Sequence, residues 1–217
     1  MKKKKRKFLF IGLGLVCAFI IWTILVRFIN VKNIGPQESN VGFASLNGYV
    51  HNIIGVNMFL YNITDWLGLV PIVIAFAFAV FGFIQWCKRK TIFKVDKSIL
   101  ILGVFYIAVI FVYSLFEVLV INYRPVLING YLEASYPSST TMLVMCVMPS
   151  AMVELSMRIK NKLFKRYLMF AIIVFVGFMV IGRIISGVHW FSDIIGAILI
   201  STGLFMMYYS FVIEVQK

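Results

Sequence analysis

The sequence predicts an all-α membrane protein, a bundle of six transmembrane helices with short interfacial helices in the first outer loop. Three observations predict it. Hydrophobic residues fill 62% of the 217 positions and charged residues only 13%, whereas a soluble domain is about 45–50% apolar. Six apolar runs are long enough to cross a bilayer, at roughly residues 8–29, 66–87, 99–122, 138–157, 167–186 and 194–213. The basic residues fall in alternate loops, as a six-span threading requires.

The first span follows the run MKKKKRK. Its apolar stretch of about 22 residues exceeds the h-region of a signal peptide, and no A-x-A-like cleavage site follows, so it reads as a retained anchor. Residues 30–65 form the one long connection. It begins with the turn-rich NIGPQESN. It continues as VGFASLNGYVHNIIGVNMFLYNITDWLG, too polar to span and suited to one or two short helices lying in the outer interface. His51 stands alone there and reads as a packed or wet surface residue. Asn62-Ile63-Thr64 fits a glycosylation sequon, a triplet common by chance. The remaining spans are joined by short loops, so residues 1–217 form a single integral membrane domain. Cys17, Cys87 and Cys146 are scattered in or beside spans, with neither a disulfide framework nor metal spacing.

The net charge of +13 is a matter of topology. Lys2 to Lys7 supply six positive charges, the loop from Lys88 to Lys97 five, and the loop from Arg158 to Arg166 five more. All lie on one side of the threading. Loops rich in Lys and Arg stay cytoplasmic, which puts both termini on the cytoplasmic side of a cell membrane. The bilayer and its anionic lipids account for the charge, and no nucleic-acid partner is expected. Nothing in the sequence sets an oligomeric state.

Polar residues at membrane depth mark sites by default, and those assigned to the outer face form three clusters. Asn122-Tyr123-Arg124-Pro125 closes the third span. Glu133-Ala134-Ser135-Tyr136-Pro137-Ser138-Ser139-Thr140 leads into the fourth, where Pro then Ser signals a helix start. A helix N-terminus presents unpaired N–H groups to an anion, and the Ser138 and Ser139 hydroxyls add donors. The third cluster, GRIISGVHWFSDIIG at 182–196, bridges the last two spans. There His189 and Asp193, four apart at a helix start, are expected on one face. Asp193 can then hold Nδ1–H of the imidazole and leave Nε2 free to attack. Arg124 and Arg183 bring forked donors suited to phosphoryl oxygens. Together these groups describe phosphoryl transfer better than acyl transfer, and no acidic cluster suggests a metal.

Arg124-Pro125, Pro137-Ser138 and Arg183-x5-His189-x3-Asp193 resemble, in order and spacing, the three motifs of the type 2 phosphatidic acid phosphatase superfamily. The resemblance also covers the six-helix threading. It implies hydrolysis of a lipid phosphate or diphosphate without metal or cofactor. His189 would form a phosphohistidine, Asp193 would orient it, and Arg124, Arg183 and Ser138 would hold the phosphate. Two positions depart from the pattern. Glu117 stands where the first motif has lysine, and could pair with Arg124. Thr140 stands where the second has the histidine that protonates the leaving group.

A threonine hydroxyl cannot give up a proton near neutral pH, and losing a general acid costs about 10²–10⁴-fold. The loss matters most for an alkoxide, whose basicity is near that of hydroxide (parent pKa ~15.7), and least for a phosphate, whose second pKa is ~6. The implied substrate is therefore a lipid diphosphate, such as the polyprenyl undecaprenyl diphosphate, cleaved on the outer face. Glu133 and Tyr136 are candidate replacement acids. The alternative is a catalytically impaired relative that binds lipid phosphates or acts as a membrane interaction protein. A transporter fits less well, because its polar sites belong near the midplane.

In a cysteine-free background, an impermeant thiol reagent is expected to label a cysteine at Asn129 on intact cells, and one at Asn161 only after permeabilisation. The reverse pattern overturns the topology.

Overall fold

The structure, a computed structural model, describes residues 2–215. They form eight α-helices and no strand: α1 Lys2–Phe28, α2 Ala44–Ile54, α3 Met58–Leu67, α4 Leu69–Arg89, α5 Lys97–Val118, α6 Ser139–Arg158, α7 Lys162–Ile185 and α8 Phe191–Val212. Six helical runs are long and apolar enough to cross a membrane, with α3 and α4 counting as one.

Two helices are central. Half of the apolar stretch of α6 and 44% of that of α8 are buried, against 6–22% in the other four. Composition explains the layering. Lipid supplies no hydrophobic drive between helices, so inner helices are those whose small and hydroxyl residues permit close packing and internal hydrogen bonds. Thus Ser150, Ser201, Ser210 and Cys146 are buried, while α1, α4, α5 and α7 turn Ile24, Phe76, Phe111 and Phe170 outward. Helix α1 lies along α8, and a Cβ on Gly12 would come within 2.8 Å of the Gly203 carbonyl oxygen. The first span is therefore an integral part of the bundle.

At the end of the bundle that carries the basic loops, Glu154 is fully buried. It accepts hydrogen bonds from Tyr208 (3.0 Å) and Ser98 (3.1 Å) and pairs with Arg158. Asp96 accepts from Gln85 at 2.8 Å and from Arg89 at 2.9 Å, and lies 3.8 Å from Arg158. This network ties α4, α5, α6 and α8 together at one end, so that the opposite end can carry polar loops.

Several boundaries differ from the sequence expectation. The third span stops at Val118 instead of near 122, because Asn122 is drawn into polar contacts: its Oδ1 accepts from Gly42 N at 3.0 Å. Residues 119–138 instead form a hairpin-like loop with bridges Tyr123–Ala134 and Ile128–Tyr131. Its tip is Asn129-Gly130 at φ 51° and 85°, the dipeptide that suits two successive left-handed residues. Helix α7 begins earlier, at Lys162, since the Asn161 side chain caps Leu163 N (3.0 Å) and Phe164 N (3.1 Å). Thr64 of the sequon is buried and donates to the Leu60 carbonyl at 2.9 Å. The His51 ring packs against Trp190 at 5.4 Å.

Gly196 of α8 faces the Tyr136 ring, which a Cβ would meet at 2.6 Å. Gly196→Ala is expected to destabilise the bundle by about 1–3 kcal/mol through overpacking, read as a lower melting temperature in detergent. Gly177→Ala, with nothing within 4 Å of its Cβ, serves as the control that leaves it unchanged or slightly raised.

Candidate active site

Arg124, Arg183 and His189 converge, although they come from different parts of the chain. The hairpin-like loop delivers Arg124: its N–H donates to the Glu133 carbonyl at 3.0 Å, and Trp190 Nε1 holds the Tyr123 carbonyl at 2.7 Å. Arg183 sits in the last turn of α7 with 0% of its side chain exposed. The chain then reverses at Gly187, whose φ is 65° and whose Cβ would strike the Gly55 carbonyl oxygen at 1.9 Å. Only glycine suits both demands. The reversal turns His189 back toward Arg183.

Nε2 of His189 lies 3.0 Å from Arg183 Nη2 and 3.4 Å from Arg124 Nη1. Guanidinium groups only donate, so Nε2 accepts and the ring proton resides on Nδ1. Nδ1–H faces the Ser135 carbonyl at 3.1 Å and the Ser135 hydroxyl at 3.0 Å. That hydroxyl donates in turn to Asp193 Oδ2 at 2.5 Å.

Asp193 therefore does not hold the imidazole directly: Nδ1 and Oδ2 are 4.0 Å apart. The expectation of one shared helix face fails because α8 starts at Phe191, with His189 two residues before it. Asp193 instead caps α8 by accepting from Trp190 N at 2.9 Å. It also accepts from Asn122 Nδ2 at 3.2 Å and Ser192 Oγ at 3.3 Å. Ser192 in turn accepts from Asn47 Nδ2 at 2.9 Å. A buried carboxylate with four donors remains fixed.

The two cations have their own surroundings. The Tyr61 ring lies 4.9 Å from Arg183 Cζ and 5.9 Å from Arg124 Cζ, within cation–π range. Glu133 Oε2 is 3.1 Å from Arg124 Nε, and Asp65 Oδ1 is 3.6 Å from Arg183 Nη1. The carboxylate beside Arg124 is thus Glu133, and among the described residues Glu117 forms no ion pair with it. Nε of Arg183 is buried without a hydrogen-bond partner in the protein.

The start of α6 contributes unequally. Ser138 is buried, its hydroxyl donating to Thr141 Oγ1 at 3.0 Å, and makes no side-chain cap bond. Ser139, Glu117 and Tyr113 line a small cavity beside His189. Ser139 and Thr140 also line the polar end of a groove of about 510 Å³ among α4, α5 and α6. Its wall is otherwise largely apolar, with Ile72, Val109, Leu143 and Val147, and Asp65 joins the polar end. Tyr136 is turned away: its hydroxyl bonds Thr23 Oγ1 at 2.7 Å between Phe19 and Phe116, and burial raises its pKa.

Ser135, Asn122, Asn47, Tyr61 and Asp65 were not singled out by sequence reasoning as site residues. Asn122 carried a usable signal, an amide at the end of an apolar run, where an unpaired polar group is unfavourable.

Two arginines thus meet on one imidazole nitrogen at the end of an all-helical bundle, beside an apolar groove. Residues 120–217, the part of the chain that carries all three motifs, match the model of the PAP2 superfamily. The match begins three positions after Glu117. The fold is similar to the crystal structure of a transmembrane PAP2-type phosphatidylglycerolphosphate phosphatase from Bacillus subtilis. The TM-score is 0.59 and the identity 18%, over 94% of this chain and 95% of that one. No curated protein sequence matches.

Burial, then the Arg124 and Arg183 charges, push the His189 pKa well below 6.5. The imidazole is expected to stay neutral, with the proton on Nδ1, at neutral pH and on acidification through the range where a free imidazole becomes protonated. Imidazole ¹⁵N shifts check this, and Arg124→Gln is expected to raise the pKa. The unfolded chain takes up the proton near 6.5, so stability is full above that pH and falls as pH drops below it.

Proposed function

We propose that the protein is a membrane lipid phosphatase that works through a phosphohistidine on His189 and prefers lipid diphosphates to monoesters. The observation that carries this reading is the convergence of Arg124 and Arg183 on Nε2 of His189. The guanidinium N–H groups that meet at Nε2 are placed to bind the non-bridging oxygens of a phosphoryl group in front of it. The Nε2 lone pair then attacks phosphorus. Positive charge develops on the ring, and the Ser135 hydroxyl and Asp193 carboxylate behind Nδ1–H stabilise it. The leaving group remains attached to a lipid chain, for which the apolar groove beside Ser139 and Thr140 is suited.

Thr140 has no proton to give, and Tyr136 faces away. A weakly basic phosphate leaving group fits that site better than an alkoxide. The Lys/Arg-rich loops favour cytoplasmic termini, which would set the site on the outer face of the cell membrane. The second reading, lipid-phosphate binding without turnover, draws on Glu117 and Thr140, two departures that weaken a phosphatase.

Purified protein in detergent is expected to release phosphate from lipid diphosphates faster than from matched monophosphates, and His189→Ala to abolish both. Thr140→His is expected to raise monoester hydrolysis more than diphosphate hydrolysis, up to about 10²–10⁴-fold. Wild-type protein that binds a lipid phosphate but cleaves none above the His189→Ala background gives the second reading.

A further inference from the structure

We infer that Asp65 is the general base that activates water to hydrolyse the phosphohistidine, an assignment that rests on the phosphatase reading above. The argument starts from in-line displacement. The leaving oxygen departs from the face of phosphorus opposite Nε2, and the attacking water later occupies the same place. The leaving oxygen is bonded to the lipid, so this place is where the anion site meets the apolar groove.

Of the acidic residues around the arginines, Asp65 is the one that lines the groove, at its polar end with Ser139 and Thr140. Glu133 lies on the outer loop against Arg124. Glu117 lines the cavity beside the imidazole. Asp193 is behind the ring, on the Nδ1 side. Thr140, which replaces the imidazole of the resembled motif, approaches Gly68, where a Cβ would meet its Cγ2 at 3.2 Å. Gly68 ends the same helical turn that bears Asp65. The carboxylate thus stands near the ground left by the missing histidine.

Its position is set by packing. A Cβ on Gly182 would meet Thr64 Cγ2 at 2.7 Å, so glycine there lets α3 approach α7 closely. Thr64 Oγ1 lies 3.5 Å from Arg183 Nη1, and Asp65 Oδ1 lies 3.6 Å from the same nitrogen. Asp65 is also 55% exposed, so it can pass a proton to bulk water.

In the step, a water oxygen forms a bond to phosphorus as the Nε2–P bond breaks. One water proton moves to the Asp65 carboxylate, and the N–P electron pair returns to Nε2. Inorganic phosphate leaves, and Asp65 loses its proton to solvent. The first half-reaction on a diphosphate needs no proton from Asp65, so the two halves separate experimentally.

Full-length protein in detergent is given a lipid diphosphate carrying ³²P in its terminal phosphoryl group. Asp65→Asn is expected to release one equivalent of lipid monophosphate in a burst and to accumulate acid-labile label on the protein. Phosphate release is expected to slow by about 10²–10⁴-fold, and Asp65→Glu to recover part of it. The burst itself reports a folded site. Release at the wild-type rate overturns the inference. Loss of burst and label together also overturns it, and makes Asp65 a positioning partner of Arg183. Wild-type protein that yields neither label nor phosphate overturns the phosphatase reading, and this inference with it.

Discussion

Two guanidinium groups pointed at one neutral imidazole nitrogen, inside a bundle built for lipid, are the constraint on which the rest of the structure depends. Like charges at this separation repel, and burial of either is unfavourable without partners. The surrounding elements supply those partners one by one. Helix α3 brings the Tyr61 face and the Asp65 carboxylate to Arg183. The hairpin-like loop brings Glu133 to Arg124. His189, held neutral, accepts from both. A protonated imidazole in the same place would add a third positive charge.

The carboxylate behind the imidazole has a double duty. Asp193 caps α8 and gathers the side chains of Asn122, Ser135 and Ser192. Those donors come from two separate segments, and Asn47 of α2 joins through Ser192. A change at Asp193 therefore alters the start of α8, the return of the 119–138 loop and the seat of α2 together. The site is a junction of loops, and its geometry is as rigid as that polar cluster.

The spans and their order were legible in the sequence because lipid as solvent leaves few alternatives to long apolar helices. The arginines and His189 were legible because charge near a membrane core stands out. What escaped was register and long-range contact. An apolar run through Ile121 gave no hint that α5 would stop at Val118. The spacing of His189 and Asp193 suggests a helical pair only if both lie in the helix, and α8 begins between them. Ser135 inserts from 54 positions away, a distance no local pattern encodes. Helix α3 did leave a trace: Asn57 before an apolar run is an N-cap signature, and its side chain accepts from Leu60 N at 2.9 Å.

Thr140 and Glu117 bear on one question, the movement of protons in the proposed reaction. A site with histidine at position 140 could give a proton to the leaving oxygen and take one from water with the same group. With threonine there, the two tasks separate. Thr140 cannot give a proton near neutral pH, and Tyr136 is turned toward α1. A carboxylate, Asp65, lines the groove and in the proposed step takes one. A site that can accept but not donate is matched to leaving groups that depart as stable anions. The proposed preference for diphosphates and the proposed role of Asp65 thus follow from the same substitution, and the two half-reactions would carry opposite proton demands.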